Sequence, residues 1–171
     1  YGLGDLYDRA EGDEFRRIAL PQAGRLGLLT QGAWLTVTSH PTRTSPVVRG
    51  KWVLENLLCS PPPPPPPNVE GLLESGVDQD ASVRERLEQH RADPSCAACH
   101  THMDTIGFGF EQFNGIGEFR IMDGRDVIDP SGELPSNPPI AFEDTVELVN
   151  ALREDEALPR CVAERMIIYA L

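Results

Sequence analysis

Nowhere in these 171 residues does an apolar run approach eighteen positions, so no stretch reads as a membrane-spanning helix. No basic segment followed by an apolar one opens the chain either, so no export signal is visible in it. Positive charge is scarce, with 15 Lys and Arg against 27 Asp and Glu. The resulting net charge of −12 argues against a nucleic-acid partner, which would be repelled. Chemistry-bearing side chains are few as well: four Cys, four His and three Met. There is no second Cys-x-x-Cys and no His-x-x-x-His, so the two separated knuckles of an ordinary structural zinc site are missing.

What remains is globular. An apolar content of 40% and a charged content of 25% suit one domain with a modest core, or two small lobes sharing one. The scarce ligating residues are concentrated in Pro94 to Asp104, which contains Cys96-Ala97-Ala98-Cys99-His100. This is the spacing that attaches a c-type haem. Three residues apart on a helical turn, Cys96 and Cys99 project to one side and can add to the two vinyl groups of one porphyrin. His100 then serves as the proximal iron ligand. The rivals are zinc on Cys96, Cys99, His100 and His102, and a redox dithiol or disulfide. No βαβ pattern supports a thioredoxin-like pair around Cys96.

Along the chain, residues 1–30 read as an opening connection with a brief helix near Asp13 to Ile18. Leu28 to Ser39 alternates β-branched and aromatic residues and is expected to be extended. Ser45-Pro46 reads as a helix start, with an apolar stripe through Val48, Trp52, Val53, Leu57 and Leu58. Pro61 to Pro67 are seven consecutive prolines, read as a stiff strap of about 22 Å across the surface, with a partner ligand as the other reading. Asn68 to Ala81 reads as a loop. Ser82 and Glu85 form a capping box before a helix that reaches about His90 or Ala92. Beyond the haem motif, Phe108, Phe110 and Phe113 either pack on porphyrin edges or belong to the ordinary core. Asp123-Gly124 marks a hairpin. Two helices, Phe142 to Arg153 and Leu158 onward, close the chain, with Val146, Val149, Leu152, Cys161, Val162, Met166, Ile167 and Tyr169 expected to face inward. With Cys96 and Cys99 on haem, Cys59 and Cys161 remain as disulfide partners, buried free thiols being the alternative.

Several stretches together resemble the planctomycete-type cytochrome c family, domains of unknown function near the C-terminus of large exported bacterial proteins. They are Leu28 to Gly32, Thr44 to Glu55, the proline tract, Arg84-Glu85 with His90-Arg91, Cys96 to His100, and Gly107-Phe108 through Glu111-x-Phe113 to Gly117. Asp129 to Leu171 resembles the terminal domain that follows there, and Tyr1-Gly2-Leu3 the tail of the domain before. The resemblance implies a tail and connection over 1–30, a haem domain over 31–128 including the strap at 61–67, and a packed helical domain over 129–171. The expected fold is mainly α, a cytochrome c-like helical domain around one covalent haem, with a small β-hairpin and a polyproline strap. The start at Tyr1 and the apolar helical pattern at Leu171 are expected of a piece of a longer protein.

For the sixth iron ligand, Met103 and His102 lie too close to His100, which leaves His40, favoured, with Met166 and Met122 as alternatives. The expected function is single-electron transfer through one haem c to or from a neighbouring domain, subunit or membrane-associated complex. The expected location is the periplasmic or extracellular side of a bacterial cell. A haem enzyme of peroxidase type with an open distal site and a structural or interaction module are the other two readings.

Overall fold

Helix starts in this chain are set by side-chain oxygens that accept from amides with no partner inside the helix. The computed structural model describes residues 12–15, 17, 25–65 and 81–171. A single 3-10 turn at Leu28–Thr30 leads into α1 (Gly32–Val37). Ser45 Oγ then accepts from the Val48 amide at 3.3 Å and Pro46 occupies the first position, opening α2 (Pro46–Asn56). The Ser82–Glu85 capping box opens α3 (Val83–His90), both reciprocal bonds being present. The Asp93 carboxylate accepts from the Ser95 amide at 2.8 Å ahead of α4 (Pro94–Phe108).

Two antiparallel hairpins follow. In the first, β1 (Met122–Asp123) pairs with β2 (Asp126–Val127) across Gly124-Arg125, and Gly124 takes the left-handed φ of +63° that its turn requires. In the second, β3 (Gly132–Leu134) pairs with β4 (Ile140–Phe142), Leu134 opposite Ile140. Asp144, accepting from Glu147, caps α5 (Thr145–Glu154), and α6 (Ala157–Ala170) ends the order. Among the described residues the architecture is thus mainly helical, with two small hairpins where the sequence reading had one.

The core is organised on the crossing of α2 and α4. A Cβ at Gly50 would lie 1.8 Å from the Met103 carbonyl oxygen, and one at Gly107 would lie 2.0 Å from that of Pro46. Two glycines, one on each helix, therefore let the backbones touch. Around the crossing Trp34, Leu35, Val53, Leu54, Met103, Ile106, Phe110 and Phe113 form one buried cluster, continued by Leu134, Phe142, Leu148 and Leu152. Beside it Arg49, fully buried, donates to the carbonyls of Phe110 at 2.6 Å, Phe113 at 2.8 Å and Asn114 at 3.1 Å, and pairs with Glu111 at 3.3 Å. Burial lowers the Arg49 pKa to about 10, although the nearby Glu111 carboxylate acts in the opposite direction. Burial raises that of Glu111. This hub fixes the chain as it leaves α4.

Two expectations are corrected. Leu28 to Ser39 is not extended: it forms the 3-10 turn and α1, because Trp34 gains edge contacts with Trp52 and Phe110, at 5.6 and 4.9 Å between ring centres, when the segment coils. The motif helix takes in Gly107, whose lack of a Cβ serves the helix crossing. On α6 only Cys161 is buried, while Val162, Met166, Ile167 and Tyr169 are exposed. Within the opening segment, Gly12 to Glu14 form a bend, whereas Arg16 and Ile18 of the expected brief helix lie outside the described residues. So do Pro66, Pro67 and 68–80 of the expected loop.

The fourth-numbered helix is tied to its surroundings on several sides. Gly132 lies against the Thr105 carbonyl, and Thr105 Oγ1 donates to the Glu133 carbonyl at 3.1 Å. Arg84 of α3 donates to the carbonyls of Asp129 and Ser131, at 2.8 and 2.5 Å, and lies over the Phe108 ring at 4.0 Å. Cys59, just past α2, is bonded to Cys161 of α6 in the pairing that the two leftover thiols suggested. The Ser60 amide bonds the Leu54 carbonyl at 2.9 Å, so the proline run starts from a fixed point.

Candidate functional site

Cys96, Cys99 and His100 all lie in the first two turns of α4, which Asp93 and Pro94 open. Both thiols are free and half-buried. Together with His100 they line a hollow of about 230 Å³, whose other walls come from Val47 and Lys51 of α2, His90 of α3 and the run Pro62, Pro63 and Pro65. A second hollow of about 730 Å³ adjoins it, sharing Cys99, Pro62 and Pro63, and reaches His102, Ile140 and Arg160. The larger hollow lies in the range of cofactor sites, roughly 300–1,000 Å³. Cys96 and His100 thus face the smaller hollow, between α2 and the proline run, while Cys99 also faces the larger one, which the second hairpin bounds.

The imidazole of His100 is held from behind. Its Nδ1 lies 3.0 Å from Asp104 Oδ1, one turn further along the same helix. Asp104 is fully buried. Its second oxygen has no hydrogen-bond partner, and the nearest cation is Arg91 Nε at 3.7 Å. His90 packs edge-on against the His100 ring at 4.8 Å between centres. Burial, followed by the proximity of His100, lowers the His90 pKa. At the helix start, hydrogen bonds from the Ser95 side chain and amide hold the Asp93 carboxyl below its usual range.

These residues suit a covalently held haem. Two thiols and one imidazole share a hollow, and with Nδ1 facing a carboxylate the ring nitrogen left for a metal is Nε2. A zinc ion would need a convergent donor set. Among the described residues no three His, Cys, Asp or Glu side chains come together to hold a metal. Haem iron takes its equatorial ligands from the porphyrin and needs one imidazole from the chain.

The other sequence-derived site residues lie elsewhere. His40 lines a separate groove with Arg43, Thr44, Asn114 and Arg120. Met122 is in β1 and Met166 on the exposed side of α6, and neither lines the two hollows at Cys99. Phe108, Phe110 and Phe113 are buried: Phe108 under Arg84, Phe110 against Trp34, and Phe113 against Phe119. None of the three lines either hollow. Asp104 escaped the sequence reading although its signal was present, a carboxylate four residues after His100 on one helix face. Val47 and Lys51 carried no such signal, since only the helix crossing brings them to the motif.

No helix of the described residues is long and apolar enough to cross a membrane. Searches of curated proteins and of solved structures find no match. A family model, PSCyt3, described as a protein of unknown function (DUF1588), matches residues 25–123. That span takes in α1 to α4, the helix crossing, the Arg49 hub and the whole Cys96 to His100 motif, and by this match over more than half its length the chain belongs to the PSCyt3 family, whose name suggests a cytochrome c-like domain.

Proposed function

We propose that the chain is a c-type cytochrome module that carries single electrons through one haem held by Cys96, Cys99 and His100. The observation that carries this reading is the shared hollow, where two free thiols and an imidazole with one nitrogen engaged stand on one helix. The thiols of Cys96 and Cys99 each add across one vinyl C=C, sulfur to one carbon and the thiol hydrogen to the other. Two thioethers form, with nothing released and no oxidant consumed. Bound haem supplies the one-electron couple. The residues of the chain do the rest: His100 offers Nε2, Val47, Leu54 and Leu58 give apolar walls, and Pro61, Pro62, Pro63 and Pro65 act as the strap that limits water.

In this reading the haem domain spans 31–128, and 129–171 is a helical unit packed on it through β3, β4 and the Cys59–Cys161 bond. Covalent haem and a disulfide both suit an exported location, on the periplasmic or extracellular side of a cell. An acidic chain of net charge −12 favours a basic redox partner, whether a neighbouring domain or a separate subunit.

One observation favours a second reading, a haem enzyme of peroxidase type with an open distal site. None of His40, Met122 and Met166 lines the hollows beside His100. The test is one pair of spectra, oxidised and reduced, on protein matured in a bacterial periplasm, together with the pyridine haemochrome. One thioether-bound haem per chain and a low-spin ferric spectrum support electron transfer. A high-spin spectrum with rapid reaction with peroxide supports the second reading. Protein without haem overturns both and leaves a structural module.

A further inference from the structure

Among the polar side chains that the fold has withdrawn from water, Asp104 stands out. It is fully buried and lies in the third turn of α4, where a carboxylate is costly unless it is engaged. One oxygen faces His100 Nδ1 at 3.0 Å, and the other has no hydrogen bond, only Arg91 at 3.7 Å. Arg91 is also 3.9 Å from Glu88 and lies 5.8 Å from the centre of the Phe108 ring, so its charge is shared and Asp104 keeps much of its electron density for the imidazole.

We propose that Asp104 is a positioning residue for the haem iron: it accepts the Nδ1–H of His100, fixes the tautomer that presents Nε2, and makes that nitrogen a stronger donor. The inference rests on the haem reading above and goes beyond it, because the motif alone assigns no partner to the far side of the ring. Ligating histidines are commonly oriented by an outer carboxylate or carbonyl, and loss of that partner costs roughly 10- to 100-fold in affinity or activity. A charged acceptor stabilises ferric over ferrous iron more than a neutral one does, since it adds electron density to the imidazole. His90, packed edge-on at 4.8 Å, limits rotation of the ring, so the Asp104 bond acts on an imidazole that is already confined.

The test uses the full chain matured with haem, as wild type, Asp104→Asn and Asp104→Glu. Haem content and its thioether attachment are measured first, by pyridine haemochrome and intact mass. The midpoint potential and the hyperfine-shifted ring-proton resonances of His100 in the ferric protein are then compared. Asp104→Asn keeps an acceptor of similar size and removes the charge. It is expected to retain haem and to raise the ferrous-to-ferric ratio at fixed potential about tenfold, a shift of about 59 mV for one electron. Asp104→Glu is expected to recover part of the change, and the His100 resonances are expected to move with the potential. A haem-loaded Asp104→Asn protein with unchanged potential and resonances overturns the role of Asp104 while leaving the haem reading intact. A wild-type protein without haem overturns both. If Asp104→Asn fails to load, the Asp104→Glu protein decides: a shift in its potential and resonances supports the role, and wild-type values overturn it.

Discussion

Adding one methyl group at Gly50 tests the helix crossing that carries the site. In Gly50→Ala the new Cβ would sit 1.8 Å from the Met103 carbonyl oxygen and 2.7 Å from its carbon, both backbone atoms that no rotamer change can move. Even 3.0 Å is a separation that real Cβ atoms hardly ever undercut, so α2 and α4 must part by more than 1 Å. A gap of about 0.5–1 Å forfeits a quarter to a half of the dispersion well, and a buried side chain makes about 40–60 contacts of about 0.1–0.2 kcal/mol each. That is about 2 kcal/mol for each side chain pulled away, and Val53, Leu54, Met103 and Ile106 are all buried in this cluster. Relaxation recovers part of the loss, and alanine's better helix propensity returns about 1 kcal/mol. The expected net cost is about 3 kcal/mol, a fall in Tm of about 6–12 °C for a chain of this size. Thermal and urea unfolding of the full chain measure it. Gly115→Ala is the control, since its Cβ would meet Ser39 at an ordinary 3.7 Å, and it should change stability by less than about 0.5 kcal/mol. A Gly50→Ala protein as stable as wild type would refute the close crossing. Haem content should fall along with stability, because Val47 and Lys51 on one helix and Cys96, Cys99 and His100 on the other wall the same hollow.

Removing the Cys59–Cys161 bond with Cys59→Ser and Cys161→Ser opens a loop of 102 residues, and the chain-entropy model puts the loss at about 4 to 5 kcal/mol. Urea unfolding with and without reductant measures it, and a wild-type protein indifferent to reductant would contradict it. Arg49→Met takes the buried donor from the carbonyls of Phe110, Phe113 and Asn114 and leaves Glu111 with Thr44 and Arg120 alone, at an expected cost of about 3 kcal/mol read by the same assay. Asp93 has a folded pKa below its unfolded value, so its contribution is present above the usual carboxylate range and is lost as pH falls through the lowered folded value. Acid titration followed by circular dichroism should show that loss in wild type, whereas Asp93→Asn, which keeps a capping oxygen and does not titrate, should lack it.

What the sequence disclosed was local. Ser45-Pro46, the Ser82–Glu85 box and Asp123-Gly124 all act within four residues of themselves, and each set the element expected of it. The shared helix face of Cys96, Cys99 and His100 was legible for the same reason. Readings failed where distant packing decided the outcome. The alternation around Trp34 and Thr36 has the period of a strand, yet its contacts with Trp52 and Phe110 favour a coil of helix. The apolar residues of α6 suggested a buried face, but only Cys161 is fully buried, and Val162, Met166, Ile167 and Tyr169 are exposed. Asp104 lay between the two cases: its spacing from His100 could be read, but its complete burial could not.

The proline run also determines what kind of guest the hollow can hold. Proline has no amide hydrogen, so the wall formed by Pro61, Pro62, Pro63 and Pro65 offers carbonyl oxygens and ring carbons but no hydrogen-bond donor. A molecule inserted there finds hydrogen-bond donors only on the other walls, while the proline wall offers acceptors and apolar ring faces and gives an anionic group nothing to bind. Such one-sided recognition suits a ligand gripped by covalent bonds, because its orientation is already fixed by the side that does the gripping.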